Sequence, residues 1–384
     1  MRLICWYPLM TDHQAYTLIA LAARVEQMQV YTWRSDDIIR SAQGWRRFSG
    51  PAGEERTVPL DRWWSWARGI LKEDRDAIHL FGSPFEDLRQ IAVMLMACAM
   101  GRRVAIISEP YSVNDVGYFT ATPHWKDRLK RRLRPLLYRG YGALFGRRLD
   151  VVFAISPLAC EQYEAMGVRR ERIAPFGYFV PAEADGATRR SRTPGPLRLA
   201  FIGSMIPRKG IDTALAAVAT VRASGRAITL DLYGPGTPGT LPADGSVAYH
   251  GTLPFGGVAA PLREYDALVV PSLFDGWGVV VNEAIQAGLP VIASDATGAG
   301  AFVTAHQCGL VFPAGNASAL AALLDRWFDN PALVAAARDA AAAAAALLDP
   351  VVAADYMDRA LEARGRGEAV PTAPWYPHLT KTSA

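Results

Sequence analysis

The 384-residue chain has only four cysteines, Cys5, Cys98, Cys160 and Cys308, and none stands in a C-x-x-C pair. That spacing favours reduced thiols in the cytoplasm over a disulfide framework or a cysteine zinc site. No G-x-S-x-G elbow, no Walker A lysine loop and no metal-spaced histidine cluster occurs, so serine-hydrolase, P-loop and metallohydrolase readings drop out. The longest apolar run, Ile91–Met100, is about half of the ~20 residues a membrane span needs. The N-terminus MRLICWYPLM meets Pro8 and then polar TDHQ, so it reads as a first strand rather than a signal peptide. Charge of one sign is also lacking overall, the net being +4. Nucleic acid is not an expected partner, since nothing resembles a recognition module.

What is present is alternation. Apolar strands at 3–7, 30–33, 77–82, 104–108 and 151–156 are separated by helical stretches, two of them at 13–27 and 86–100. A second series of strands follows at 197–202, 228–233, 267–270, 290–293 and 309–312. Strand and helix in repetition predict α/β domains with parallel sheets, and the length predicts about two of them. Glu183–Pro196, rich in Arg, Pro and Gly, is the best linker. The expected domains are 1–188, 189–350 and a C-terminal helix and tail, 351–384. The tail from Pro371 onward is expected to be poorly ordered.

Ligands on such sheets bind beyond the carboxyl ends of the strands. In the first half this selects Pro8–Gln14, Gly82–Ser83, Glu109–Asn114 and Ser156. Thr11 or Asp12 would cap a helix, His13 and Gln14 are acceptor-contacting candidates, and Glu109 directly follows a buried strand. In the second half, Gly203–Gly210 (GSMIPRKG) sets Arg208 and Lys209 between a strand and a helix start, where a phosphate is favoured. Pro271–Thr297 (PSLFDGWGVVVNEAIQAGLPVIASDAT) places Asp275 and Glu283 eight apart, with Gly276, Trp277 and Gly278 leading into a helix from Val279. Glycines admit a ligand close to the backbone, and the helix start favours an anion. Gly234–Gly239 (GPGTPG) matches G-x-G-x-x-G in form only, because its prolines remove backbone donors. Asp74-Arg75-Asp76 precedes a strand rather than following one, so it reads as solvated charge.

Residues 124–148 carry nine Lys or Arg and one acid, interleaved with leucines and aromatics. A basic amphipathic helix of this kind reads as a membrane-surface element, with Lys126, Lys130, Arg131, Arg132 and Arg134 meeting an anionic leaflet. The plain alternative is a surface helix with extended arginines. The protein would then be cytoplasmic and peripheral on the inner membrane face.

Gly203, Lys209, Gly210, Gly234, the PS at 271–272, the Asp275/Glu283 pair, EAIQAGLPVIAS and GLVFP together resemble the family 4 glycosyltransferases. The likeness is densest over 197–324 and looser at AISPLACEQYEAMGVRRERIAPFGYF. The resemblance implies a GT-B fold: two Rossmann-like domains face a central cleft, and a C-terminal helix crosses back to the first. It implies retaining transfer of a hexosyl-type sugar from a UDP- or GDP-sugar to a glycan or lipid-linked acceptor, with no metal and no cofactor. The activity would belong to polysaccharide or glycolipid biosynthesis. Glu283 matches the second glutamate of the family's E-x7-E motif, on the ribose hydroxyls. Asp275 stands in place of the first, one methylene shorter, facing the donor sugar. Lys209 matches the phosphate lysine, and Ser204 replaces its usual arginine partner, a role Arg208 is placed to take. Gly234, Gly276, Trp277, Gly278 and Val279 would complete the donor site. Glu109 lies near the position of the N-terminal catalytic histidine of relatives, and with Asp275 and Lys209 makes up the catalytic set. Two other readings stay open: a nucleotide-sugar epimerase of the same fold, and a silent nucleotide-sugar-binding subunit.

Overall fold

The computed structural model describes residues 1–34, 55–112, 125–182, 195–253 and 257–376. The expected linker thus lies almost wholly outside the described residues. In the N-terminal lobe, β1 (Arg2–Tyr7), β2 (Gln27–Thr32), β3 (Glu55–Thr57), β4 (Ile78–Gly82), β5 (Arg103–Ser108), β6 (Leu149–Ile155) and β7 (Ile173–Phe176) form one sheet, in the order β3-β2-β1-β4-β5-β6-β7. In the C-terminal lobe, β8 (Leu197–Ile202), β9 (Ile228–Tyr233), β10 (Val247–Tyr249), β11 (Ala267–Val270), β12 (Val291–Ser294) and β13 (Gly309–Phe312) follow the order β10-β9-β8-β11-β12-β13. All these pairings are parallel. Their central strands are buried on both faces, which is why they read as unbroken apolar runs rather than alternating ones.

Twelve α-helices connect the strands among the described residues: α1 (Asp12–Ala22), α2 (Trp63–Glu73), α3 (Leu88–Ala99), α4 (Trp125–Phe145) and α5 (Pro157–Ala165) in the first lobe, then α6 (Ile211–Ala223), α7 (Ala259–Leu262), α8 (Val280–Gln286), α9 (Gly300–Ala305), α10 (Ala317–Asp329), α11 (Pro331–Ala344) and α12 (Pro350–Gly365). Helix starts follow local chemistry. Asp87 caps α3 by accepting from the Arg89 N–H at 2.8 Å, and Asp349 caps α12 from the Val351 N–H at 2.7 Å, with Pro350 at the first position. Thr11 stands at the start of α1 but makes no side-chain cap bond; its hydroxyl donates to Gln14 Oε1 at 3.0 Å instead. Helix α1 ends at Ala22, earlier than its pattern predicts, because Gln27 already starts β2.

One apolar cluster runs through both lobes, from Leu3 and Phe176 through Phe179, Trp277 and Ile285 to Tyr356 and Trp375, while two further clusters fill the outer side of each sheet. Helix α12 lies against the first lobe: Arg24 pairs with Asp355 at 2.9 Å, and Arg103 donates to the Leu361 carbonyl at 2.7 Å. The described part of the tail, 371–376, departs from the expectation of poor order, and the rest of it lies outside the described residues. Ala373, Trp375 and Tyr376 are buried, Trp375 Nε1 donates to the Pro175 carbonyl at 3.2 Å, and His306 Nε2 meets the Trp375 carbonyl at 3.1 Å. A short proline-rich tail hides this role because its burial depends on two distant surfaces.

Pro331–Leu348 is long and apolar enough to span a membrane by length and composition, although Arg338 and Asp339 interrupt it as an apolar run. Alanine supplies most of that hydropathy, and Val334, Ala337, Ala341 and Ala344 form a stripe buried in the protein.

Candidate functional site

Strand order in the C-terminal sheet reverses between β8 and β11, so the loops after these two strands part and open a crevice at their carboxyl ends. Both loops were singled out in the sequence, and the structure joins them. Lys209 Nζ lies 2.5 Å from Asp275 Oδ2. Arg208 Nη1 donates to the Phe274 carbonyl at 2.9 Å, and the Leu273 N–H donates to the Arg208 carbonyl at 2.8 Å. Gly210 is obligatory at this junction: its φ is +69°, and a Cβ there would come 1.9 Å from the Pro271 oxygen. Ser204 lies in the same loop, its carbonyl accepting from the Ile206 N–H. Gly234, at φ +136°, packs backbone to backbone on Gly203, where a Cβ would come 2.0 Å from the Gly203 oxygen. It braces the Lys209 loop from the β9 side.

Asp275 is held on every side. Its N–H donates to Ala296 at 2.9 Å, and its carbonyl accepts from Gly298 at 3.0 Å. Burial acts to raise its carboxyl pKa, but the Lys209 and Arg208 charges, the Lys209 hydrogen bond and the Trp277 N–H outweigh it and hold the group below the usual carboxylate range. Asp275 is therefore an anion at neutral pH.

The N-terminal lobe meets this loop directly. Glu109, just past β5, reaches Gly276: a Cβ on Gly276 would come 2.6 Å from Glu109 Oε2. Tyr178, just past β7, donates to Glu109 Oε1 at 2.6 Å. Burial first, and the Glu109 charge second, push the Tyr178 phenol well above its ordinary range, so it remains a donor. His13 packs edge-on against Tyr178, with ring centroids 4.3 Å apart, and Gln14 also hydrogen-bonds that phenol. His13, Gln14, Glu109 and Tyr178 thus form one wall of the crevice, opposite Asp275. Ser156 belongs to the same wall and adopts φ +79°, with its Cβ beside Gly298. An L-residue held there is a strained backbone position of the kind that clusters at sites.

Trp277 packs between the lobes. Its side chain is buried against Gly177 of the other lobe, where a Cβ would come 2.4 Å from the ring. Its indole donates to Asn282 Oδ1 at 2.9 Å, and Asn282 donates to the Tyr178 carbonyl at 2.7 Å. Its backbone N–H serves Asp275. Gly278, at φ +90°, turns the chain into Val279, the residue before α8, and Glu283 sits half-buried in the first turn of that helix. Ser156 was among the strand-end positions selected from the sequence, whereas Tyr178, Asn282 and Gly298 were not. The signal available for Tyr178 was its place just after a strand, and that strand, which contains Pro175, was itself not recognised.

On α4, Arg132 is exposed, and Arg134 is half-buried with Nη1 3.5 Å from the Ser112 carbonyl. The side chains of Lys126, Lys130 and Arg131 lie outside the described residues.

Residues 196–330 match the family model described as glycosyl transferases group 1. Glycogen synthase of Mycobacterium tuberculosis is 33% identical over 165 residues, covering 41% of this chain and 39% of that protein. The amylovoran biosynthesis glycosyltransferase AmsK of Erwinia amylovora is 27% identical over 217 residues, covering 53% of each. The chain spans about two fifths to half of the length of these curated relatives. The crystal structure of Anabaena HepE in complex with UDP superposes with a TM-score of 0.66 at 14% identity, covering 94% of this chain and 100% of that one. The two facing parallel-sheet lobes, the crossed-back α12 and this likeness establish a GT-B fold, whose C-terminal lobe carries the match to the glycosyl transferases group 1 model.

Proposed function

We propose that the protein is a retaining glycosyltransferase of family 4 type, moving a hexosyl-type sugar from a UDP- or GDP-sugar to a glycan or lipid-linked acceptor. The observation that carries this reading is the Lys209–Asp275 pair at the switch point, with Glu109 and Tyr178 facing it from the other lobe. The names of the relatives support sugar transfer, and the UDP in the Anabaena complex supports a nucleoside diphosphate. Four separate unpaired thiols support a reducing, cytoplasmic setting.

Departure of a nucleoside diphosphate builds negative charge on its phosphates. Lys209 and Arg208 would meet that charge, together with the first-turn N–H groups of α8, which have no acceptors within the helix. This makes the reaction metal-independent in our reading. Charge-assisted bonds and the short helix together give roughly 3–6 kcal/mol, against the ~8–23 kcal/mol enzymes supply. Alignment must provide much of the rest, and holding reactants in line is worth ~7–11 kcal/mol. Glu283 would take the ribose hydroxyls, Asp275 the transferred sugar, Gly234, Gly276, Gly278 and Val279 the close backbone approach, and His13 and Gln14 the acceptor.

A panel of UDP- and GDP-sugars, assayed for release of the nucleoside diphosphate with and without an added glycan or lipid-linked glycan, tests this. Release that depends on the acceptor is expected. Conversion of the sugar without acceptor would identify an epimerase, and binding without turnover a silent subunit. Lys209→Ala and Glu283→Ala should each lower turnover by about tenfold or more with the fold intact; wild-type rates in both would remove the assignment.

A further inference from the structure

Helix α4 is apolar on two faces, and its own domain uses only one. Tyr138, Tyr141 and Phe145 form the inner face. Tyr138 and Tyr141 rings lie 5.3 and 4.4 Å from that of Phe85, and Tyr138 lies 4.5 Å from Tyr111. The outer face carries Leu129, Leu133, Leu136, Leu137 and Leu144, each 48–61% exposed. Their spacing of i, i+4, i+7, i+8 and i+15 aligns them in one stripe. Five of the ten large exposed hydrophobics among the described residues therefore sit on one helix, which a soluble surface has no reason to concentrate.

The charge around this stripe selects what covers it. Residues 124–148 carry a formal charge of +8 in a chain whose total is +4. Arg132 and Arg139 are exposed along one flank of the leucines, and Arg147 and Arg148 are exposed just beyond the helix end. A second copy would bring like charge against like, and a nucleic acid would leave the leucines in water. An anionic lipid surface satisfies both features, taking leucines into its acyl boundary and arginines onto its phosphates.

We propose that the outer face of α4 docks the protein flat on an anionic membrane surface. The inner face ties this surface to the crevice. Tyr111, which packs on Tyr138, is two residues past Glu109, and Arg134 reaches the Ser112 carbonyl. Docking therefore sets the mouth of the crevice at headgroup level. That last consequence rests on the transfer reading, whereas the docking itself does not.

Flotation of the full chain with phosphatidylcholine vesicles, with and without phosphatidylglycerol, tests the proposal. The protein should float with the phosphatidylglycerol vesicles only, and less so as salt is raised. Arg132→Gln with Arg139→Gln should weaken partitioning by roughly fivefold per charge. Leu133→Ser with Leu136→Ser and Leu137→Ser should abolish it, with the thermal midpoint and any turnover on a soluble acceptor unchanged. Absence of binding, equal binding to neutral vesicles, or wild-type binding by both variants overturns the proposal. So does a dimer that the leucine changes split without any vesicle binding. Loss of flotation with turnover retained separates this outcome from failure of the transferase reading.

Discussion

Glu109 Oε2 stands so close to Gly276 that a single methyl group there would overlap it, at 2.6 Å from the carboxylate oxygen. These two residues belong to different lobes, and their contact is where the wall of the first lobe touches the loop that holds Asp275. The lobes therefore meet at the candidate chemistry, which makes the contact a sensitive place to perturb.

Gly276→Ala should leave the protein folded, because the clash is with the movable end of a side chain. It should lower turnover by about tenfold or more, since displacing a positioned group is costly for alignment. Gly234→Ala sets the contrast. Its new Cβ would meet the Gly203 backbone oxygen at 2.0 Å, at a φ of +136°. That change should lower the thermal midpoint markedly, by a destabilisation of about 2–4 kcal/mol. Thermal scans and initial rates on the two variants separate the effects, and a stable, active Gly234→Ala would refute the bracing role.

The Lys209–Asp275 pair predicts a pH dependence of stability. The Asp275 pKa is depressed in the folded state, so its contribution is present above about pH 4, the unfolded carboxylate value, and is lost as pH falls through the lower folded value. Lys209→Met removes one of the charges that outweigh burial, so the Asp275 pKa should rise in the variant. The midpoint difference between wild type and Lys209→Met should then shrink as pH is lowered through about 4 and below, where the wild type loses the Asp275 contribution. A difference constant over that range would uncouple the two residues.

Asn282 is buried, and it connects Trp277 Nε1 with the Tyr178 carbonyl across the lobes. Asn282→Leu would leave a buried donor and a buried acceptor without partners, at about 1–3 kcal/mol each. The denaturation midpoint in urea should fall accordingly. A midpoint unchanged from wild type would mean that water or rearrangement replaces Asn282, and that the lobes are held mainly by the apolar cluster.

The legible part of this protein is local. Lys209, Gly210, Asp275 and Gly278 each stand within a few residues of a strand end or helix start, and short-range pattern suffices to place them on facing loops. The Glu109–Gly276 and Tyr178–Asn282 contacts join positions more than 100 residues apart, and no periodicity encodes them. Three strands escaped notice for a related reason: β3, β7 and β10 are edge strands of three or four residues, and β7 contains a proline. Trp277 shows the limit of a motif. Its position between two glycines suggests backbone donors and says nothing of the side chain, which packs against the bare Gly177 between the lobes.

Tyr178 offers the most direct test of the first lobe's role. Its phenol is held protonated by burial and by the neighbouring Glu109 charge, and at 2.6 Å it donates to that carboxylate. Tyr178→Phe keeps the ring that packs on His13 and removes only the hydroxyl, so the core around it should survive. Glu109 would lose a charge-assisted bond worth about 1.5–3 kcal/mol, and with it one of the constraints on where its carboxylate points. If Glu109 acts on the reacting groups, kcat should fall by about tenfold to a hundredfold with little change in KM for the donor, because the donor contacts lie on the other lobe. A rise in donor KM at constant kcat would instead make Tyr178 part of the donor site. No change in either constant would reduce Glu109 to a contact between the lobes.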